Sequence, residues 1–177
     1  MLLTFRDMSK EDMYRMVHSV YSEASYEIAK DKHPELDDLS KAIQEEEYYF
    51  VEKFLGKFMS KDENTYYVWE VDGEWVSALR LTKEDGFYFM EALETAPEHR
   101  KKGYASDLIK SLIQKLEEDE PVVIRSNVRK TNRASLTTHQ KCGFVIEEKK
   151  GNKNCFYGML YESDEFCGSG MRNIIRK

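Results

Sequence analysis

Glu91 to Leu116 reads EALETAPEHRKKGYASDLIKSLIQKL, and its two ends obey different periods. Phe87, Phe89 and Leu93 alternate as a half-buried strand does, and Pro97 cannot continue a ladder, so the strand is predicted to stop near Thr95. After Gly103, apolar residues fall at Tyr104, Ala105, Leu108, Ile109, Leu112, Ile113 and Leu116, the three-and-four spacing of one helix face. Between the two lies a basic turn, Arg100-Lys101-Lys102-Gly103-Tyr104-Ala105. Gly103 removes a Cβ where a phosphate could approach the backbone. The first N–H groups of the helix lack intrahelical partners, and the positive end of its dipole adds to the lysines. The stretch therefore reads as strand, anion-binding turn and helix, of the kind that holds a pyrophosphate. Its spacing fits neither G-x-G-x-x-G nor the P-loop pattern, which argues against both.

Arg100, Gly103 and Ala105 occupy the defined positions of a Gln/Arg-x-x-Gly-x-Gly/Ala signature. Downstream, Asn132 opens a helical stretch that closes on Lys141-Cys142-Gly143-Phe144. The pair, in this order with a helix and a strand between them, resembles the acetyl-CoA-binding motifs of the GNAT N-acetyltransferases. The resemblance implies an α+β, three-layer fold with a mixed, mostly antiparallel sheet, a central V-shaped splay and flanking helices.

Composition sets the outer bounds. At 177 residues, 41% hydrophobic, the chain is long enough for one well-packed domain, taken here as 1–177 with an unassigned tail over 163–177. A formal net charge of −6 argues against a general nucleic-acid binder, which needs clustered cations. No apolar run approaches the roughly 20 residues that span a bilayer. The opening residues lack the pattern of a secretory signal, so a cytoplasmic protein is expected. Cys142, Cys155 and Cys167 are odd in number and widely spaced, which reads as three reduced thiols. His18, His33, His99 and His139 show no paired ligand spacing, and no metal is expected.

Taken in order, Leu2 to Phe5 suggests a first strand, and Ser9 a cap for a helix reaching about Ile28. A second helix is predicted from Ser40 to Met59, with Ile43, Phe50, Phe54, Leu55 and Phe58 as core candidates. Glu45, Glu46 and Glu47 read as a solvated face or as carboxylates that draw a cationic amine to the cleft. Thr65–Val71 and Trp75–Thr82 alternate about Asp72-Gly73, a hairpin signal. Val122-Val123-Ile124 reads as a strand buried on both faces. Gly143 is a natural helix stop; strands are then expected at Phe144–Glu147 and Cys155–Tyr161, joined by a turn at Gly151–Asn154.

The resemblance also implies a chemistry. Backbone N–H groups from Arg100 to Ala105, including Lys101, Lys102, Gly103 and Tyr104, would hold the pyrophosphate of acetyl-CoA, with Asn132 bonded to the cofactor arm. The splay would lie between Thr95 and Val122–Arg125. An oxyanion donor maps to a backbone N–H of Leu93, Glu94 or Thr95. Glu91 and Glu94 are candidate bases on opposite faces of a regular strand; parity with Phe89 and Leu93 favours Glu91, and a bulge would reverse the choice. His139 stands where the family carries a tyrosine acid, either as a replacement acid or as a packed histidine. The implied activity is direct acetyl transfer to a primary amine; the alternative is a non-catalytic acyl-CoA-binding module. The acceptor is unspecified, and a homodimer through the last strands is left open.

Overall fold

The computed structural model describes residues 1–147 and 155–163. Its elements are β1 (Leu2–Phe5), α1 (Lys10–Val20), α2 (Ser22–Lys32), α3 (Ser40–Tyr49), a π-helical stretch (Phe50–Leu55), α4 (Gly56–Met59), β2 (Asn64–Val71), β3 (Glu74–Glu84), β4 (Phe87–Thr95), α5 (Tyr104–Glu117), β5 (Val123–Arg129), α6 (Arg133–Lys141), β6 (Val145–Glu147) and β7 (Phe156–Glu162). Seven strands form one sheet in the order β1-β2-β3-β4-β5-β7-β6. Every neighbouring pair is antiparallel except β4 and β5. The mixed, mostly antiparallel sheet flanked by helices is the fold class expected from the sequence. The predicted turn at 151–154 and the tail at 164–177 lie outside the described residues.

Local chemistry accounts for the strongest elements. Ser9 caps α1, its Oγ accepting from the Asp12 N–H at 3.0 Å. Asp72 and Gly73 both take positive φ, 52° and 82°, which matches a two-residue turn to the twist of its flanking strands. Helix α5 buries Leu108, Ile109, Leu112 and Ile113 against one sheet face. Each such side chain contributes about 1.5–3 kcal/mol of transfer free energy. The opposite face carries a second core, built from α1, the π-helical stretch, Tyr66, Val68 and Trp75.

Three boundaries differ from expectation. The first predicted helix is broken at Tyr21 (φ −104°, ψ 12°), whose buried side chain turns inward and donates from its hydroxyl to the Ala92 carbonyl at 2.7 Å. The second is helical throughout, but its middle widens into a π-helical stretch. There Leu55 is fully buried, whereas Phe54 is exposed with its ring against the Arg80 guanidinium. Finally, the last strand runs Phe156–Glu162 rather than from Cys155 to Tyr161, and it lies between β5 and β6.

Strands β4 and β5 pair only at Tyr88–Ile124, Phe89–Arg125 and Met90–Ser126. Beyond these rungs they part, leaving a wedge between 91–95 and 127–129. This corrects the expected far wall at Val122–Arg125. Parallel strands run the same way, so they separate at their C-terminal ends, and Ile124 and Arg125 belong to the joined end.

A bulge in β4 completes the frame. Ala78 faces Glu94 and Arg80 faces Glu91, so Ala92 and Leu93 together oppose the single Leu79. Ala92 has φ 52°, a left-handed conformation of the kind one class of bulge uses at its inserted residue. Met90 and Leu93 consequently share the α5 face, while Ala92 joins the opposite core.

Candidate active site

A cleft of about 430 Å³ opens where the wedge meets the start of α5. One wall is Leu93, Glu94 and Thr95 of β4; the floor is the turn through Arg100, Lys101, Gly103, Tyr104 and Ala105; the other wall is Asn132, Ser135, Thr138 and Lys141 of α6 and its cap. Of the residues singled out in the sequence, Leu93, Glu94, Thr95, Arg100, Lys101, Gly103, Tyr104, Ala105 and Asn132 line this cleft, whereas the lining residues Ser135 and Thr138 were not among them. Lys102 is exposed and outside the lining, and Glu91 and His139 also lie outside it. Lys141 lines the cleft but was not selected. It sits three positions before Phe144 in the closing motif, where a basic residue on a helix's last turn was the available signal.

The turn is shaped for an anion. Lys101 and Gly103 both adopt positive φ, 64° and 91°, and a Cβ built on Gly103 would meet nothing within 4 Å. The helix's own first bonds run from the Ser106 and Asp107 amides to the Gly103 carbonyl, at 2.8 and 3.1 Å. The amides of residues 101–105 have no acceptor among the described residues. Successive unpaired N–H groups at a turn and helix start form a concave donor surface. Lys101 and Lys141 flank it.

Arg100 opens the turn but points elsewhere. Its Nε donates to the Thr95 carbonyl at 3.1 Å, and its Nη2 pairs with Glu94 (3.0 Å) and with Glu23 of α2. The bond from Arg100 holds the Glu23 carboxyl below the usual carboxylate range. The guanidinium thus ties α2 to the end of β4.

Both β4 carboxylates lie on the face of α1 to α4. The regular-strand expectation that they oppose each other is corrected by the bulge, which shifts parity between Glu91 and Glu94. Glu91 accepts from Arg80 Nε at 2.6 Å away from the cleft, whereas Glu94 lines it. Alternation supplies the backbone donors. The Ala96 N–H donates to Val76 on β3, and Ser77 Oγ donates to the Glu94 carbonyl, so the amides of Leu93 and Thr95 turn toward the wedge. The Thr95 amide reaches the Glu94 carboxylate at 3.3 Å, which leaves Leu93 as the uncommitted donor.

His139 is 2% exposed and packs edge-on to Phe144 at 5.1 Å. Nδ1 lies 2.8 Å from the Ser135 carbonyl, which can only accept, so the ring proton resides there. Nε2 then accepts from the Ser126 hydroxyl at 3.3 Å. Burial pushes its pKa down, partly opposed by the bond to Ser135, and keeps the ring neutral. The ring has no spare proton to deliver, and of the two readings open in the sequence the geometry is that of the packed histidine. Asn132 caps α6 through its Oδ1, 3.0 Å from the Ser135 amide, and leaves its Nδ2 uncommitted at the cleft.

The acidic stretch on α3 is engaged elsewhere. Glu47 is buried against His18 Nδ1 at 3.2 Å, Glu46 pairs with Lys32 at 2.7 Å, and none of the three lines the cleft. Cys142 is buried and Cys155 exposed, both free, and Cys167 lies outside the described residues. Among the described residues no cluster could hold a metal, and no helix is long and apolar enough to cross a membrane.

A sheet that parts beside an amide-lined helix start forms a cleft suited to an extended anionic ligand. The model of the acetyltransferase (GNAT) family matches residues 19–144, and the chain belongs to that family. No curated protein matches in sequence. Among solved structures, PaiA N-acetyltransferase from Thermoplasma acidophilum in complex with coenzyme A is similar, with 13% identity, a TM-score of 0.65, and 92% of this chain and 99% of that one covered. Campylobacter jejuni N-acetyltransferase PseH in complex with acetyl coenzyme A gives 14% identity and a TM-score of 0.57, covering 93% and 99%. The ribosomal-protein-S18-alanine N-acetyltransferase from Escherichia coli gives 12% and 0.59, covering 99% and 100%. At these identities the likeness is one of fold.

Proposed function

We propose that the chain is an acetyl-CoA-dependent N-acetyltransferase acting on a primary amine in a ternary complex, with 1–177 as one domain. The observation that carries this reading is the run of unpaired amides at 101–105 beside the open wedge. Those amides suit a diphosphate, with charge-assisted contacts from Lys101 and Lys141. The unpaired strand edge and Asn132 Nδ2 suit the amide groups of a pantetheine arm. When bound, acetyl-CoA would supply an activated acetyl group whose C–S bond breaks as the new C–N bond forms, with coenzyme A leaving as a thiolate that takes its proton from solvent.

The chain's own residues do the rest. The Leu93 N–H stabilises negative charge developing on the acyl oxygen. Glu94, 38% exposed at the wedge, takes the proton that the amine must lose. Arg100 holds that carboxylate in place.

The test couples calorimetry with coenzyme A to thiol release from acetyl-CoA over a panel of primary amines. Binding with amine-dependent release is expected. Absence of binding overturns the reading, and binding without release on any amine favours the non-catalytic module.

A further inference from the structure

Three strands place one polar row across the middle of the sheet. Tyr66 of β2 is the cross-strand partner of Arg80 of β3, and Arg80 is the partner of Glu91 of β4. Cross-strand partners project to the same face, here the face of α1 to α4. The bulge at Ala92 turns Glu94 to that face as well.

The row is short of hydrogen-bond acceptors. The Arg80 side chain is 14% exposed and spends only Nε, on Glu91. Its other N–H groups have no acceptor among the described residues. The Tyr66 hydroxyl is buried without a partner, beside the Tyr21 hydroxyl and the Arg80 guanidinium. Tyr21 donates its proton to Ala92, so its oxygen is the neighbouring acceptor, but it makes no hydrogen bond with Tyr66 within 3.5 Å. The Tyr66 hydroxyl is the buried member of this row without a hydrogen bond, while the remaining Arg80 N–H groups are not among the buried unpaired atoms; a buried unpaired group calls for an explanation, and a bound ligand is one. Phe54 and Phe58 cover the guanidinium, with ring centroids 4.5 and 5.3 Å away, and Phe54 is itself exposed. The donors thus lie under an aromatic cover that solvent reaches.

We propose that Arg80 and Tyr66 form the second handle of the acceptor site and take a carboxylate, so that the acceptor is an amine that also carries a carboxylate. A carboxylate offers two oxygens to the free edge of a guanidinium and can accept from a tyrosine hydroxyl, which matches the deficit. Glu91 is a positioning residue: by engaging Nε it turns the remaining donors away from β4. Along β4, Glu91 and Glu94 are three residues apart, at most about 10 Å. That span fits a small amino acid, with its amine at Glu94 and its carboxylate at Arg80, and excludes an acceptor whose two groups lie much farther apart. The proposal rests on the acetyltransferase reading of the same site.

The test uses matched sets: L-phenylalanine, its amide and phenethylamine; γ-aminobutyrate, its amide and propylamine. Binding in the presence of coenzyme A is measured by calorimetry, and acetyl transfer as kcat/KM. The wild type is expected to favour at least one carboxylate over its amide and its decarboxylated amine tenfold or more, in binding or in kcat/KM. Arg80→Gln and the near-isosteric Tyr66→Phe are expected to shrink that ratio, the former at least tenfold and the latter at least threefold. Thermal melts establish that each variant is folded, and Tyr66→Phe serves alone should Arg80→Gln fail to fold. Amines turned over without preference for a carboxylate, or a preference that both variants retain, overturn the proposal and leave the acetyltransferase reading standing. Carboxylate binding that depends on Tyr66 or Arg80 but occurs without any transfer supports the site and counts against the enzyme.

Discussion

Arg100 and Glu94 are joined at 3.0 Å, so the residue that opens the glycine turn also grips the carboxylate at the mouth of the wedge. The same guanidinium reaches Glu23 on α2 and the Thr95 carbonyl. The glycine turn, the candidate base and α2 therefore share one side chain.

Replacing Glu94 with Gln keeps the shape and removes the proton acceptor. We expect kcat to fall about 10²-fold or more, the low end of general-base contributions. Affinity for coenzyme A should change less than threefold, because the amides at 101–105 are untouched. A fall in affinity that matches the fall in kcat would mean that Glu94 supports the turn and not the chemistry. Steady-state kinetics beside calorimetry separates the two.

Gly103→Ala places a Cβ at φ 91°. Space is free, so the cost is conformational, about 1–2 kcal/mol for a left-handed alanine. Either the turn holds and the melting temperature drops, or it relaxes and the amides lose their alignment. Coenzyme A affinity is expected to weaken tenfold or more. An unchanged affinity in a stable variant would show that the carrier does not sit on this turn.

Lys101 and Lys141 flank the amides, whereas Lys102 faces solvent. Alanine at either of the first two should weaken coenzyme A binding by about 0.5–1.5 kcal/mol, allowing for hydration of exposed charges. Alanine at Lys102 should have a smaller effect. Raising salt from 0.05 to 0.5 M is expected to narrow the differences, since screening acts on the side chains more than on the amides.

His139→Phe tests burial against catalysis. The larger ring crowds a buried site and the Ser126 hydroxyl loses its acceptor, a loss of about 1–3 kcal/mol in stability. The folded pKa of His139 is lowered below its ordinary 6.5, so the unfolded chain takes up the proton first as pH falls. Its stabilisation is complete above about pH 6.5 and is lost as pH drops from there toward the folded pKa. The variant should lack that part of the acid-side decline in denaturant melts. Its kcat should stay within threefold; a large loss of kcat with a flattened pH profile would restore His139 as the acid.

The strand, turn and helix around Gly103 were legible because a change of period, a proline stop and a cluster of cations all fall within one short stretch. Asn132 and the Gly143 stop were legible for similar reasons. The bulge was not: Ala92 and Leu93 are ordinary strand residues, and an inserted residue alters parity without altering composition. The helix break at Tyr21 was hidden because its apolar ring continues the period that its backbone abandons. Val122–Arg125 was assigned to the wedge because sequence tells which strands are neighbours more readily than which end is joined. His139 was read through its motif position, and its burial depends on Ser126, thirteen residues upstream on another element.

The insertion of β7 between β5 and β6 has a consequence for synthesis. As the chain emerges, β1 to β4 and the glycine turn are complete long before residues 156–162 appear, and until then β5 lacks the neighbour on its outer side. Nascent chains shorter than this should expose the glycine turn yet fail to protect β5 amides from exchange with solvent. Competence to bind the carrier should then arrive abruptly, on completion of a late strand remote from the binding residues.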